Sequence, residues 1–315
     1  MMAMALATFS HAQAASSQSR YGANYFPNAP LITQDGKTVH FYDDLLKGKM
    51  VAVDLIYTSC HFSCPLETAR MAQVQKLLGD RVGKDIFFYS ISIDPARDTP
   101  AQLKAYAKKY HAGPGWLFLT GKKQDIELIS KKLGLYTDTD INQDGHISSL
   151  MLGDEPNGQW VRQSAVDNPR FLFNAITDLL NHGQTHGKVG TGRSYAEVGE
   201  MHVDRGQYLF ATRCIACHTI GHGDKIGPDL MGVTNVRKRD WLTRFIATPD
   251  QVMAAKDPVA LALFKRYNKV QMPNLQLGRE DVRLLIEYMQ TQSEAASTQN
   301  SSSARTSAGN TGSSR

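Results

Sequence analysis

The run Met50-Val51-Ala52-Val53-Asp54-Leu55-Ile56-Tyr57, followed by Thr58-Ser59-Cys60-His61-Phe62-Ser63-Cys64-Pro65, decides how the chain is read. Its first half is short and apolar and reads as a buried strand. Its second half puts two thiols, Cys60 and Cys64, where that strand gives way to a helix. Ala69, Met71, Ala72, Val74, Leu77 and Leu78 then recur at helical spacing. A strand-to-helix junction aims free backbone N–H groups and the positive end of a helix dipole at the first sulfur. That favours thiolate, the form that attacks disulfides or binds soft metals. At i and i+4 on the first turn of a helix, the two sulfurs face one ligand together. Copper(I), zinc and a disulfide all remain open at this point.

On either side the pattern alternates. Leu31 to Phe41 reads as a hairpin about Asp35-Gly36. Asp85–Asp94 and Trp116–Thr120 read as core strands. Between them a helix runs to about Tyr110, with Thr99 as N-cap, Pro100 in its first turn and Gln102 completing a capping box. Gln124–Leu133 reads as a further helix, Ser148–Gly153 as a strand turning at Pro156-Asn157-Gly158, and Pro169–Leu180 as a closing helix. Strands alternating with helices predict a layered α/β domain.

Three motifs in order, Tyr57-Thr58-Ser59-Cys60 to Cys64-Pro65, Ser92-Ile93-Asp94-Pro95-Ala96-Arg97-Asp98-Thr99-Pro100, and Trp116 to Gly121, resemble the Sco/SenC copper-chaperone family over roughly residues 22–180. The resemblance implies a thioredoxin-like fold and one copper held by Cys60, Cys64 and a distant histidine just before a core strand. The matching position is His146. It also stands where thioredoxin-type exchangers carry a cis-proline, and no proline occurs from Trp116 to Glu155. A Cys2His set suits copper(I). His61, Phe62 and Ser63 depart from the smaller or acidic residues common in relatives, and His61 reads as an exposed turn residue. Asp140-x-Asn142-x-Asp144-Gly145 resembles the start of a calcium loop, but its twelfth position is Met151, so it reads as a turn.

A second chemistry lies downstream. Cys214-Ile215-Ala216-Cys217-His218 is the C-x-x-C-H pattern of covalent haem c attachment, with His218 as proximal iron ligand. Gly206 and Phe210 before it and Gly227-Pro228-Asp229-Leu230 after it resemble class I cytochrome c, across residues 200–291. One haem c is expected. Met272, on a loop before Pro273, is the expected sixth ligand, with Met231, Met253 and Met289 as competitors. Histidine–methionine ligation suits electron transfer. From Val203 the pattern is helical only, at Val203–Arg213, Trp241–Ile246 and Glu280–Met289. Arg237-Lys238-Arg239 and Lys265-Arg266-x-x-Lys269 read as solvated charge or as a docking ring for an acidic redox partner.

The expected organisation is a signal peptide over 1–14, an α/β thioredoxin-like domain over 21–182, a glycine-rich linker over 183–199, a small all-α cytochrome c domain over 200–291 and a disordered tail over 292–315. The 315 residues are 42% hydrophobic with a formal charge of +5, and no basic stripe speaks for nucleic acid. The four cysteines form two close pairs, hence two local sites and no distributed disulfide framework. No stretch is long and apolar enough for a transmembrane segment. The reading is an exported, periplasmic protein handling copper for a respiratory oxidase, at its CuA centre, or for another periplasmic copper or redox protein, with electrons passing through the haem. A thiol–disulfide reductase built on Cys60 and Cys64, and a plain electron carrier, are the alternatives.

Overall fold

The structure, a computed structural model, describes residues 21–136, 148–181 and 204–308, with side chains as far as 298. A seven-stranded sheet forms the centre of the N-terminal region, built from β1 (Pro30–Thr33), β2 (Thr38–His40), β3 (Met50–Ile56), β4 (Ile86–Ser92), β5 (Trp116–Gly121), β6 (Ser149–Asp154) and β7 (Gln159–Ser164). Their spatial order is β2-β1-β5-β4-β3-β6-β7. The inner strands β3, β4 and β5 are parallel, and β1 and β6 flank them antiparallel. Gly36 closes the expected hairpin with φ of 80°, and Gly158 (φ 65°) turns β6 into β7.

The inner strands read as continuous apolar runs because both sheet faces are covered. Side chains alternate between two cores. Ala52, Ile56, Phe88, Phe118 and Leu150 enter one, while Val51, Val53, Tyr89, Leu119 and Met151 enter the other. The first core is roofed by α1 (Cys64–Leu78), α2 (Pro100–Lys109) and α4 (Pro169–Leu180). The second is covered by α3 (Lys123–Lys132) and a π-helical turn at Phe41–Leu46. Thr99 caps α2 by accepting from Gln102 N at 3.3 Å, with Pro100 following. The reciprocal arm of the expected capping box is absent: Thr99 N–H goes to the Arg97 carbonyl at 3.0 Å.

The C-terminal region is helical: α5 (Arg205–Leu209), a π turn at Phe210–Cys214, α6 (Val233–Val236), α7 (Arg239–Ala247), α8 (Pro249–Ala254), α9 (Pro258–Arg266) and α10 (Arg279–Ala308). Leu209, Phe210, Leu242, Ile246, Val282, Leu285, Ile286 and Met289 form its core. The expected helix across 203–213 is therefore broken: Ile215 N donates to Phe210 O five residues back, a π turn that shifts the phase of the chain as it enters the cysteine motif. Helices α8 and α9 lie outside the expected set; each has proline in its first turn, and Asp257 caps α9 through Val259 N and Ala260 N.

The tail expected to be disordered from residue 292 instead continues α10 to Ala308. Helix propagation needs only one bond per added residue once the packed part is formed. Ser293, Ser297 and Thr298 also turn their hydroxyls back onto carbonyls four residues earlier. Ser293 is buried and accepts from Gly232 N at 2.9 Å, so the helix is tied to the loop before α6 beyond the expected domain limit.

Candidate functional site

β3 ends at Ile56 and α1 begins at Cys64, so the thiol stretch is a loop between them. The two cysteines do not share a helical turn. Cys60 lies in the loop, its N–H bonded to Tyr57 O at 3.1 Å, and Cys64 is the first residue of the helix. Proline at 65 fixes the entry: it needs no N–H donor in the first turn. Neither thiol is in a disulfide and both are buried, Cys60 at 6% exposure and Cys64 at 0%.

Their environments differ in sign. A hydrogen bond from the Cys64 thiol, joined by the N–H groups of Phe62 and Cys64 and the Tyr57 hydroxyl, holds Cys60 down at about 6 against the cost of burial. Burial pushes Cys64 well up, and the neighbouring Cys60 and the buried Glu67 add to it. The two sulfurs are thus shifted in opposite directions, Cys60 toward thiolate and Cys64 toward thiol, and the main source of the Cys60 shift is its partner sulfur and not the helix dipole expected from the sequence.

A residue without an assigned role in the sequence holds this loop. Asp98, fully buried, accepts from Thr58 N at 3.0 Å, Thr58 Oγ1 at 2.5 Å and Ser92 Oγ at 2.6 Å. It thereby ties the turn after β4 to the residue two before Cys60. The signal was present as a carboxylate between a core strand and a capped helix, but only the fold shows what it reaches. His61 is exposed, as a turn residue should be. His146 and the calcium-like loop lie outside the described residues. Among the described residues no group of three histidine, cysteine or carboxylate side chains is arranged to hold a metal.

The second site surrounds a cavity of about 350 Å³ bounded by Cys214, Cys217, His218, Met272, Leu285 and Trp241, among others. Both thiols of the motif line it, and burial raises them to about 12 and about 11. His218 Nδ1 lies 2.9 Å from Pro228 O. A carbonyl only accepts, so Nδ1 carries the proton and Nε2 is left as a bare donor for a metal. Burial lowers the imidazole pKa, which keeps it neutral as ligation requires. Gly227 makes room for the ring: a Cβ there would sit 2.6 Å from His218 Cε1. The loop below is pinned by Asp229, which accepts from Gly221 N at 2.8 Å, Gly223 N at 2.6 Å and Met231 N at 2.9 Å. Burial opposes the Asp229 charge, but these N–H groups hold its carboxyl at about 2.

A covalently attached, flat, iron-bearing group fits this donor set: two thiols, an oriented imidazole, a glycine cradle and apolar walls. Met272 is half-buried on the cavity wall, but Met231, Met253 and Met289 reach the same cavity. Of the rivals, Met289 is 4% exposed within the helical core.

The fold and its two sites define the class: a thioredoxin-like domain with a thiol pair at its first strand–helix junction, followed by an all-α domain of cytochrome c type. The chain belongs to the SCO1/SenC family, whose model matches residues 16–180. The Cytochrome c family model matches residues 203–293. The chain is similar to an SCO2-like protein of Rickettsia conorii, 32% identical over 144 residues, covering 44% of this chain and 68% of that one. It is also similar to a Stutzerimonas stutzeri protein named as a candidate for copper binding, 33% identical over 109 residues, covering 35% of this chain and 52% of that one. A solved SCO1/SenC family lipoprotein of Bacillus anthracis is 32% identical, with 51% of this chain and 99% of that chain covered and a TM-score of 0.43.

Proposed function

We propose that this is an exported copper-handling redox protein that serves assembly of a respiratory oxidase, at its CuA centre. Cys60 and Cys64 carry one copper as cargo with His146 as third ligand, and one haem c is held through Cys214, Cys217, His218 and Met272. The observation that carries the reading is the buried, non-disulfide cysteine pair between the first inner strand and its helix. The hydrogen bond from the Cys64 thiol, helped by the backbone N–H groups of Phe62 and Cys64, lowers the Cys60 pKa and so favours the thiolate, the state a soft cation binds. Haem held by histidine and methionine supplies one-electron transfer with no open coordination position. The chain's own residues orient His218, exclude water with apolar walls and fix the loop through Asp229. Haem attachment by a C-x-x-C-H pattern supports export to the periplasm. Among the described residues no helix is long and apolar enough to cross a membrane.

The test is copper stoichiometry on reduced, haem-loaded protein beside Cys60→Ser and His146→Ala. One tightly held copper per chain, lost or much weakened in both variants, is expected. No specific copper in the parent protein would remove the chaperone reading. Met272→Ala, read by loss of the methionine–iron absorption band while Met231→Ala keeps it, tests the sixth ligand.

One observation favours a second reading. A lowered Cys60 beside a raised, deeply buried Cys64 is also the asymmetry of a thiol–disulfide reductase, in which the first sulfur attacks and the second resolves. Turnover of a disulfide substrate by copper-free protein, abolished by Cys60→Ser, would move the assignment there.

A further inference from the structure

The two sites, far apart in sequence, are in contact. Arg70 lies six residues after Cys64 on α1 and is fully buried. Its Nη2 donates to the carbonyls of Ala211 at 3.0 Å and Thr212 at 2.8 Å, in the π turn that delivers Cys214. Its Nη1 donates to Gln73 Oε1 at 3.1 Å, and Gln73 Nε2 reaches Ile215 O at 3.3 Å. Among the described residues no carboxylate forms an ion pair with this guanidinium. A buried cation without a counter-charge is costly unless dipoles compensate it. Here two of its three acceptors are carbonyls of the cytochrome region, which are therefore part of what makes its burial tolerable.

Two further contacts stand independently of Arg70. Ala216, between the two haem-attachment cysteines, is 3% exposed and belongs to the same apolar cluster as Cys60 and Cys64. Asn274, two residues beyond Met272, donates its N–H to the His61 carbonyl at 2.7 Å, within the loop between the first two thiols. Pro65 lies on the wall of the haem-type cavity.

We propose that the thiol loop and the haem-attachment segment are each other's docking surface, latched by Arg70. In this closed state the cytochrome region covers Cys60 and Cys64, and an outside partner reaches them only after the latch opens. The functional meaning rests on the role proposed above for the thiol pair, but the docking stands without copper and is tested without it. A failed copper titration and a failed latch are therefore separate results.

The experiment is the alkylation rate of Cys60 by a small iodoacetamide in reduced, copper-free, haem-loaded full-length protein. Arg70→Met removes the latch with little change of volume, and Ala216→Glu places a charge in the interface from the other side. Both are expected to speed alkylation at least about tenfold, the factor that loss of about 1.4 kcal/mol of closing free energy gives. Unchanged haem absorption and far-UV circular dichroism show that each variant is folded. Should Arg70→Met fail to fold, Ala216→Glu carries the comparison. Hydrogen exchange of the Asn274 amide in the unaltered protein gives a third readout, and strong protection is expected. Alkylation in the unaltered protein as fast as in a folded variant, or an Asn274 amide that exchanges at the rate of a free loop, overturns the proposal.

Discussion

Asp98→Ala removes a buried carboxylate that three donors share. The carboxylate takes three hydrogen bonds in a fully buried position, two from Thr58 and one from Ser92. Bonds to a charged group contribute about 1.5–3 kcal/mol each, and removing the acceptor strands buried donors. The Thr58 and Ser92 hydroxyls can rotate to other acceptors, whereas the Thr58 N–H cannot. The net loss is therefore about 3–5 kcal/mol, below the simple sum of three charged bonds. Asp98→Asn keeps the shape and one carbonyl acceptor, while its amide N–H groups can still meet hydroxyl oxygens, so about 1–2 kcal/mol is expected. The assay is urea denaturation at pH 7 by far-UV circular dichroism, with haem absorption following the C-terminal region separately because two regions need not unfold together. The thiol supplies a second readout. Cys60 is held at about 6 by groups of its own loop, and freeing that loop moves the midpoint of its alkylation–pH profile up toward the ordinary thiol value of about 8.5. An Ala variant within about 0.5 kcal/mol of the parent, the range of a surface change, with an unmoved thiol midpoint, would refute the reasoning.

Two further substitutions test the second site. Gly227→Ala places a methyl group 2.6 Å from His218 Cε1 and 3.0 Å from its Nδ1, so the ring must turn away from Pro228 O. Haem incorporation and the low-spin absorption spectrum should both fall, and an unchanged spectrum would show that the cradle yields easily. Asp229 has a depressed native value, about 2 against an ordinary 3.8, so its stabilisation is present above the unfolded value and is lost as pH falls through about 2. Asp229→Asn should cost about 1–2 kcal/mol at pH 7, after a discount for solvent screening. The stability gap to the parent protein should close in acid, and a gap independent of pH would point to geometry and not charge.

Local chemistry explains why so much was legible in the sequence. The alternation of strands and helices, the hairpin at Gly36, the Thr99 cap and the C-x-x-C-H motif each depend on residues within a few positions of one another. So does the low Cys60 value, since its donors come from Tyr57, Phe62 and Cys64. Local pattern misled where a neighbour's hydrogen bond decided the outcome. Thr99 N–H found Arg97 and not a Gln102 side chain, and the polar Ser293 segment stayed helical once its hydroxyl bonded Met289 and accepted from Gly232.

What only the tertiary structure decided is which distant residues meet. Asp98 stands 40 residues from Thr58, and Arg70 stands 141 residues from the Ala211 carbonyl it binds. No period or spacing encodes such pairs, because a carboxylate or guanidinium reads as solvated surface until the fold removes its water. Burial then makes each unmatched polar group expensive, and the acceptors or donors that compensate Asp98 and Arg70 are supplied by whichever segments the folded chain has brought alongside.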